Sequence, residues 1–292
     1  AGWNLVTSAS PIEAANFGST GLKPHADRYE RAREFAEVVT GLWHGKASGH
    51  EGQSFSGRDP LDLPLSPQGA PVMVQAGASD VGRDLAARTA DVVFTAAQTF
   101  EEAKAFYDDL KGRMATYGRE PDDIKIMPGV SPVVAETEAE AREKHEELQE
   151  LIPDDVGVAL LSSYLSISDL GRYPIDGPLP ELPESEGMKS RQALVIEQSR
   201  RDGLSIRQLA RHFAGARGHW RIVGTAAQVA DELQARFEGG AADGFNVMPS
   251  YFPGELDAFA TLVVPELQRR GLFRRDYEGR TLRDHLGLKR PV

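Results

Sequence analysis

Short apolar runs alternate along this chain with helix-length amphipathic segments, and parallel βα units are the architecture that produces such a rhythm. The strand candidates are Trp3–Val6, Val72–Gln75, Val92–Phe94, Ile124–Val130 and Phe245–Met248. Each is short, rich in Val, Ile or Phe, and bounded by Gly, Pro or Asp, as strands covered on both faces should be. Helical segments fall between them. Asp27–Trp43 places Ala32, Phe35, Ala36, Val39 and Leu42 near i, i+3, i+4 spacing. Ser79–Arg88 opens on a capping residue, and Thr99–Tyr117 carries Glu101 and Glu102 where acidic groups suit the helix dipole. Thr225–Phe237 and Leu256–Arg270 repeat the pattern, the latter closing on Gly271.

The rhythm breaks over 136–218. Glu136–Ile152 predicts a charged helix, Val156–Leu165 is apolar, and Gly171–Pro183 is too dense in Pro and Gly for regular structure. Two further helices, Ser190–Asp202 and Ser205–Phe213, complete a segment too long for a connection and too structured for a linker. It reads as a lid or an oligomerisation arm. Five strands each followed by a helix fit either a doubly wound sheet or the last five units of a (β/α)8 barrel. The barrel is preferred, because the chain opens inside what reads as a buried strand, with no Met and no polar lead-in. The first three βα units are therefore expected upstream, with 1–292 forming a single barrel domain. At the other end, Arg274–Val292 is charged and reads as a surface tail.

The formal charge of −11 and a pI near 5.2 argue against a nucleic-acid surface. No apolar run approaches the roughly 20 residues that span a bilayer. The chain has no cysteine, which excludes disulfides, Cys-ligated metals and a Cys nucleophile. A reducing, cytoplasmic home is the default expectation. GxSxG, HExxH, GxGxxG and GxxxxGK[ST] are all missing, and the seven histidines show no metal-ligand spacing.

One segment carries more chemistry. Val72-Met73-Val74-Gln75-Ala76-Gly77-Ala78-Ser79-Asp80-Val81-Gly82-Arg83 runs from a strand through Gly and Ser into a helix. Gly77 permits a tight turn, Ala78 keeps the wall low, and Ser79 caps the helix. Unpaired N–H groups at that helix start, with the Ser hydroxyl, form a site for a phosphate monoester. An ordinary Ser cap on any βα unit explains the same residues. A second cluster follows the first strand: Thr7 and Ser8, then Asn16-Phe17-Gly18, then His25-Ala26-Asp27-Arg28-Tyr29 at the next helix start. Polar ligand contacts and plain capping remain equally open for it.

Taken together, the motifs are more specific. Trp3-Asn4-Leu5-Val6-Thr7-Ser8, Asn16-Phe17-Gly18, His25, Arg28-Tyr29, Glu34-Phe35 and Leu42-Trp43 form one block. Ser66-Pro67-Gln68-Gly69, Pro71 through Ser79, and Gly82-Arg83 form another. Tyr173-Pro174, Asp176 through Pro180, Gly215-Ala216-Arg217-Gly218-His219, Gly224-Thr225 and Asp243-Gly244-Phe245-Asn246-Val247 continue it in order. This series resembles the nitrilotriacetate monooxygenase component A family, whose relatives include EDTA, dibenzothiophene-sulfone and long-chain alkane monooxygenases of the bacterial-luciferase-like superfamily.

The resemblance implies a (β/α)8 TIM barrel that binds reduced FMN (FMNH2) supplied by a separate NAD(P)H:flavin reductase. Reduced flavin would take up O2 to give a C4a-(hydro)peroxyflavin that oxygenates a small organic substrate. The protein would mainly bind, orient and exclude water. By motif position, Ser79 with Ala78 and Gly77 would hold the FMN phosphate and Tyr29 would add a hydrogen bond. Thr7 and Ser8 would border the flavin, and His25 is a catalytic candidate on the same face. No metal, nucleic-acid or membrane partner is implied, and a homodimer or homotetramer is expected. The stretch 44–52 is shorter than the family pattern. An F420-dependent oxidoreductase of the same superfamily and a non-catalytic flavin-binding or assembly protein are the alternatives.

Overall fold

Trp3 stands opposite Met73, and Val74 opposite Val92, in a parallel ladder built from the runs that the apolar pattern marks. The computed structural model describes residues 1–8, 10–45, 49–57, 61–167, 170–183 and 189–291. Two units emerge, one of Ala1–Thr95, Tyr107–Met127 and Asp276–Val292, the other of Ala96–Phe106 and Pro128–Arg275.

In the first unit, β1 (Gly2–Asn4) leads through α1 (Pro11–Asn16) to α2 (His25–Trp43). A small antiparallel hairpin follows, β2 (His50–Glu51) with β3 (Ser56–Gly57). Then come β4 (Val72–Gln75), α3 (Asp80–Thr89) and β5 (Val92–Thr95). The strands order as β1-β4-β5, all parallel. Leu5, Ala32, Ala36, Met73 and Leu85 are buried together, so α2 and α3 cover one face of this ladder. Trp3 adds edge-to-face contacts with Phe35 and Trp43, at 5.7 and 5.6 Å between ring centroids. Fully burying a large apolar side chain such as Leu85 or Met73 contributes about 1.5–3 kcal/mol.

β1 is less buried than the sequence predicts. Gly2 and Asn4 are exposed and Trp3 is half-buried, because among the described residues β1 pairs only with β4. The hairpin is absent from the sequence reading, and Lys46–Ser48 of the short 44–52 stretch lie outside the described residues.

α4 (Phe100–Arg113) and β6 (Lys125–Ala135) each contribute residues to both units. In the second unit, β6 is followed by four helices: α5 (Glu138–Glu150), α6 (Asp154–Leu165), α7 (Lys189–Asp202) and α8 (Ile206–Ala216). Thr137 and Ser205 cap α5 and α8 in reciprocal boxes with Glu140 and Gln208. Leu161, Leu165, Val195, Leu209 and Phe213 close a core of their own, which makes 136–218 a helical segment in fact. Gly171–Pro183 is irregular, as its composition requires.

The chain then returns through β7 (Trp220–Thr225), α9 (Ala226–Glu238) and β8 (Asn246–Val247). β6 lies between β7 and β8, parallel to both: Val130 is opposite Trp220 on one side and Val247 on the other. β7 is a strand that the sequence reading passes over. Its burial alternates residue by residue, and Arg221 interrupts the apolar run sought there. The single helix expected over Leu256–Arg270 is divided into α10 (Gly254–Ala258), a π-helical turn and α11 (Val264–Arg269).

The C-terminal segment is mostly exposed, as its charge predicts, but it is anchored to the first unit at two buried residues. α12 (Leu282–His285) carries Arg283, which is 5% exposed, and Leu288 is buried against Val72 and Val92. Arg283 donates to both carboxylate oxygens of Asp91 at 2.7 and 3.0 Å. Its charge marks a buried ion pair in the first unit rather than solvation.

Candidate functional site

The turn from β4 into α3 gathers four residues that the sequence singles out. Ser79 is the N-cap of α3, its backbone extended and its Oγ accepting from the Gly82 N–H at 3.3 Å. The hydroxyl proton of Ser79 stays available to donate. The first N–H groups of a helix have no intrahelical acceptor, so this end concentrates donors and the positive end of the helix dipole. Ala78 is exposed beside it.

Gly77 and Gly82 are in close backbone contact across the turn. A Cβ on Gly77 would stand 2.8 Å from Tyr29 Oη and 3.0 Å from Gly82 Cα. A Cβ on Gly82 would meet Gly77 and Tyr29 Oη at 3.0 Å. α2 therefore delivers the Tyr29 hydroxyl directly onto the turn, where it forms no hydrogen bond among the described residues. His25, one turn earlier, packs on the Tyr29 ring with centroids 4.8 Å apart. Asp80, in the first turn of α3, would repel an anion if left alone. The Arg113 guanidinium bonds it at 2.6 Å, which holds its carboxyl below the ordinary range. Arg83 and Arg113 also share Asp109. The turn thus presents donors and compensated charge, an arrangement suited to a phosphate-sized anion.

Thr7 and Ser8 lie elsewhere in the same unit, on a cleft of about 670 Å3 at the end of β1. Its walls include Trp3, Phe35 and Phe55, together with Arg28, the residue before Tyr29 on α2. Ser8 holds φ at +50° and donates to Glu13, a left-handed backbone uncommon outside glycine. Glu34, on the same helix, accepts from the N–H groups of Ser54 and Phe55 and so pins the β2–β3 hairpin to α2. Burial works against the Glu34 carboxylate, but those two N–H groups and His50 hold it below the usual range.

The structure therefore unites Tyr29, Gly77, Ala78 and Ser79, sets His25 against Tyr29, and places Thr7 and Ser8 apart from them, on the lining of the cleft at the end of β1. Gly82 and Arg28 belong to the sequence motifs, but the sequence assigns them no role. A second glycine five residues after Gly77, and an arginine on the apolar face of α2 with Ala32 and Ala36, were the available signals. Among the described residues no helix is long and apolar enough to cross a membrane. No group of three or more His, Asp or Glu there is placed to hold a metal.

A parallel α/β fold with a polar helix-start turn of this kind defines a class that comparison with known proteins makes specific. The luciferase-like monooxygenase family model matches residues 1–243, and the chain belongs to that family. It is an oxidoreductase of the monooxygenase kind. It is 50% identical over 313 residues to nitrilotriacetate monooxygenase component A of Aminobacter aminovorans, covering 100% of this chain and 69% of that protein. The solved structure of EDTA monooxygenase from Chelativorans sp. BNC1 superposes with a TM-score of 0.75 at 36% identity, covering 99% of this chain and 72% of that one. A riboflavin lyase solved with modified FMN and riboflavin gives a TM-score of 0.85 at 30% identity, over 100% and 68%. The fold is that of these luciferase-like neighbours, as the motif order implied.

Proposed function

We propose that this chain is the oxygenase of a two-component system. It takes reduced FMN from a separate NAD(P)H-dependent flavin reductase and, with O2, oxygenates a small organic substrate. The β4–α3 turn carries the reading. Two glycines and a tyrosine hydroxyl leave there a cradle that any Cβ would fill, beside a serine hydroxyl at a helix start. These residues fit the phosphate of FMN: Ser79 donates its hydroxyl, Tyr29 adds a second, and Gly77 and Ala78 let the anion approach the backbone. Thr7 and Ser8 border the flavin ring, and His25 supports Tyr29 from behind. Bound reduced flavin supplies the capacity to activate oxygen, so the chain needs no nucleophile of its own. Its residues hold the cofactor, orient the substrate and keep water out.

Support comes also from the names of the relatives, one of them a "component A" and one a structure with modified FMN. The test combines the purified chain with FMN, a flavin reductase, NADH and O2, using nitrilotriacetate and dibenzothiophene sulfone as trial substrates. Oxygenated product above the peroxide background is expected with at least one. Absence of reduced-FMN binding, followed by flavin fluorescence under anaerobic conditions, would overturn the proposal.

A further inference from the structure

Arg28 is buried to 9% exposure on the wall of the cleft at the end of β1, and its charge has no carboxylate beside it among the described residues. Its Nη1 donates to the Lys23 carbonyl at 2.7 Å. Its Nε is buried with no hydrogen-bond partner among the described residues. A guanidinium withdrawn from water without a counter-charge is strongly unfavourable, so a buried Arg is normally paired. The rest of the lining does not supply the missing anion. Lys23 and Arg31 are the other charged residues there, and no Asp or Glu is present among the described residues of the wall. Arg31 lies over the Phe55 ring, 4.6 Å from its centroid. In a chain of net charge −11 the charged side chains of this lining are all cationic, with the Glu13 carboxylate bonded to Ser8 at its edge, and the walls are Trp3, Phe35 and Phe55.

We propose that Arg28 determines substrate specificity by pairing with the carboxylate of an organic acid whose apolar body rests on Trp3 and Phe35. The planar fork of the guanidinium matches a carboxylate through two parallel hydrogen bonds, and such a bond would satisfy the unpartnered Nε. The aromatic wall favours an organic acid over a bare inorganic anion. The proposal rests on the oxygenase reading, in which Thr7 and Ser8, on this same lining, border the flavin.

The experiment uses the whole chain without turnover. Intrinsic tryptophan fluorescence, to which Trp3 contributes, follows titration with 4-phenylbutyrate, with 4-phenylbutyramide and with inorganic phosphate, and calorimetry repeats each. Saturable binding of the acid, no comparable binding of the amide, and about tenfold or greater weakening by Arg28→Gln are expected. Arg28→Lys should fall between the two, since it keeps the charge and loses the fork. Equal binding of acid and amide overturns the proposal, as does unchanged affinity in a folded Arg28→Gln chain. Phosphate held at the β4–α3 turn is insensitive to Arg28, so phosphate affinity that Arg28→Gln weakens more than it weakens the acid overturns the carboxylate assignment. Should Arg28→Gln fail to fold, Arg28→Lys supplies the comparison, and unchanged acid affinity in it overturns the proposal. FMN titration runs in parallel. Loss of FMN binding with acid binding intact sinks the flavin reading alone, and the reverse pattern sinks only this one.

Discussion

The Tyr29 hydroxyl occupies the space that a side chain on Gly77 would need: a Cβ there would lie 2.8 Å from Oη. Gly82 closes the same space from the other side, at 3.0 Å. α2 and the start of α3 are thereby locked together through atoms that also face the helix N-terminus. A ligand anion at that terminus would find the hydroxyl already in place, and preorganisation of this kind spares the cost of ordering it on binding.

Gly77→Ala should therefore force either Tyr29 or the turn to move. Overpacking of this type costs about 1–3 kcal/mol. FMN affinity should drop by about tenfold or more, because the displaced hydroxyl and amides no longer converge. Flavin fluorescence titration gives the affinity and thermal melting gives the stability. An alanine variant that binds and melts like the unaltered chain would show that the close approach has no role.

Ser79→Ala separates the two duties of its hydroxyl. Loss of the cap should destabilise the chain by about 0.5–2 kcal/mol. Loss of a charge-assisted bond to phosphate should weaken FMN by about 1–3 kcal/mol. Riboflavin, which lacks the phosphate, should bind equally well before and after the change. Equal weakening of both flavins would remove Ser79 from the phosphate site.

Much of this arrangement was legible in the residues. Val72–Gln75 is a strand with the bounds expected, and the Gly77–Ser79 turn and its cap follow directly from local chemistry. The approach of Tyr29 was not legible from spacing, since nothing local brings a residue so distant in the chain onto a turn; only the family resemblance paired them. β7 escaped because its apolar residues alternate around Arg221, which is half-buried and bonds the His212 carbonyl at 3.0 Å. Arg28 and Arg283 escaped for the same reason. A charge on paper looks solvated, and only three-dimensional packing reveals which charges are withdrawn from water.

Arg283 offers a direct check on that last point. Its side chain is 6% exposed and Asp91 is 17% exposed, and the same Asp91 also accepts from the Met73 N–H at 2.8 Å. Removing one member of a buried pair strands the other, so Arg283→Ala should cost about 3–5 kcal/mol. Lys289→Ala, which breaks the bond to Asp123 from a side chain 74% exposed, should leave stability almost unchanged. Urea denaturation of both variants measures the contrast. Similar small losses would restore the view of this segment as a loose surface tail.

The α7–α8 pair predicts how stability depends on pH. His212 accepts from the Gln198 amide at 2.8 Å through Nε2, which requires the neutral imidazole. Burial, then the nearby Arg221 charge, pushes His212 from 6.5 down to about 4. Burial and Arg221 lower His145 as well. Between pH 6.5 and 4 the unfolded chain binds protons that the folded chain refuses, so stability must fall as pH falls through that window. For His212 alone the loss should reach about 2 kcal/mol by about pH 5. His212→Gln removes this titration while keeping a polar group against Gln198. Urea midpoints at about pH 7 and about pH 5 should therefore converge in the variant relative to the unaltered chain. If both proteins lose the same stability on acidification, His212 is not the group that responds.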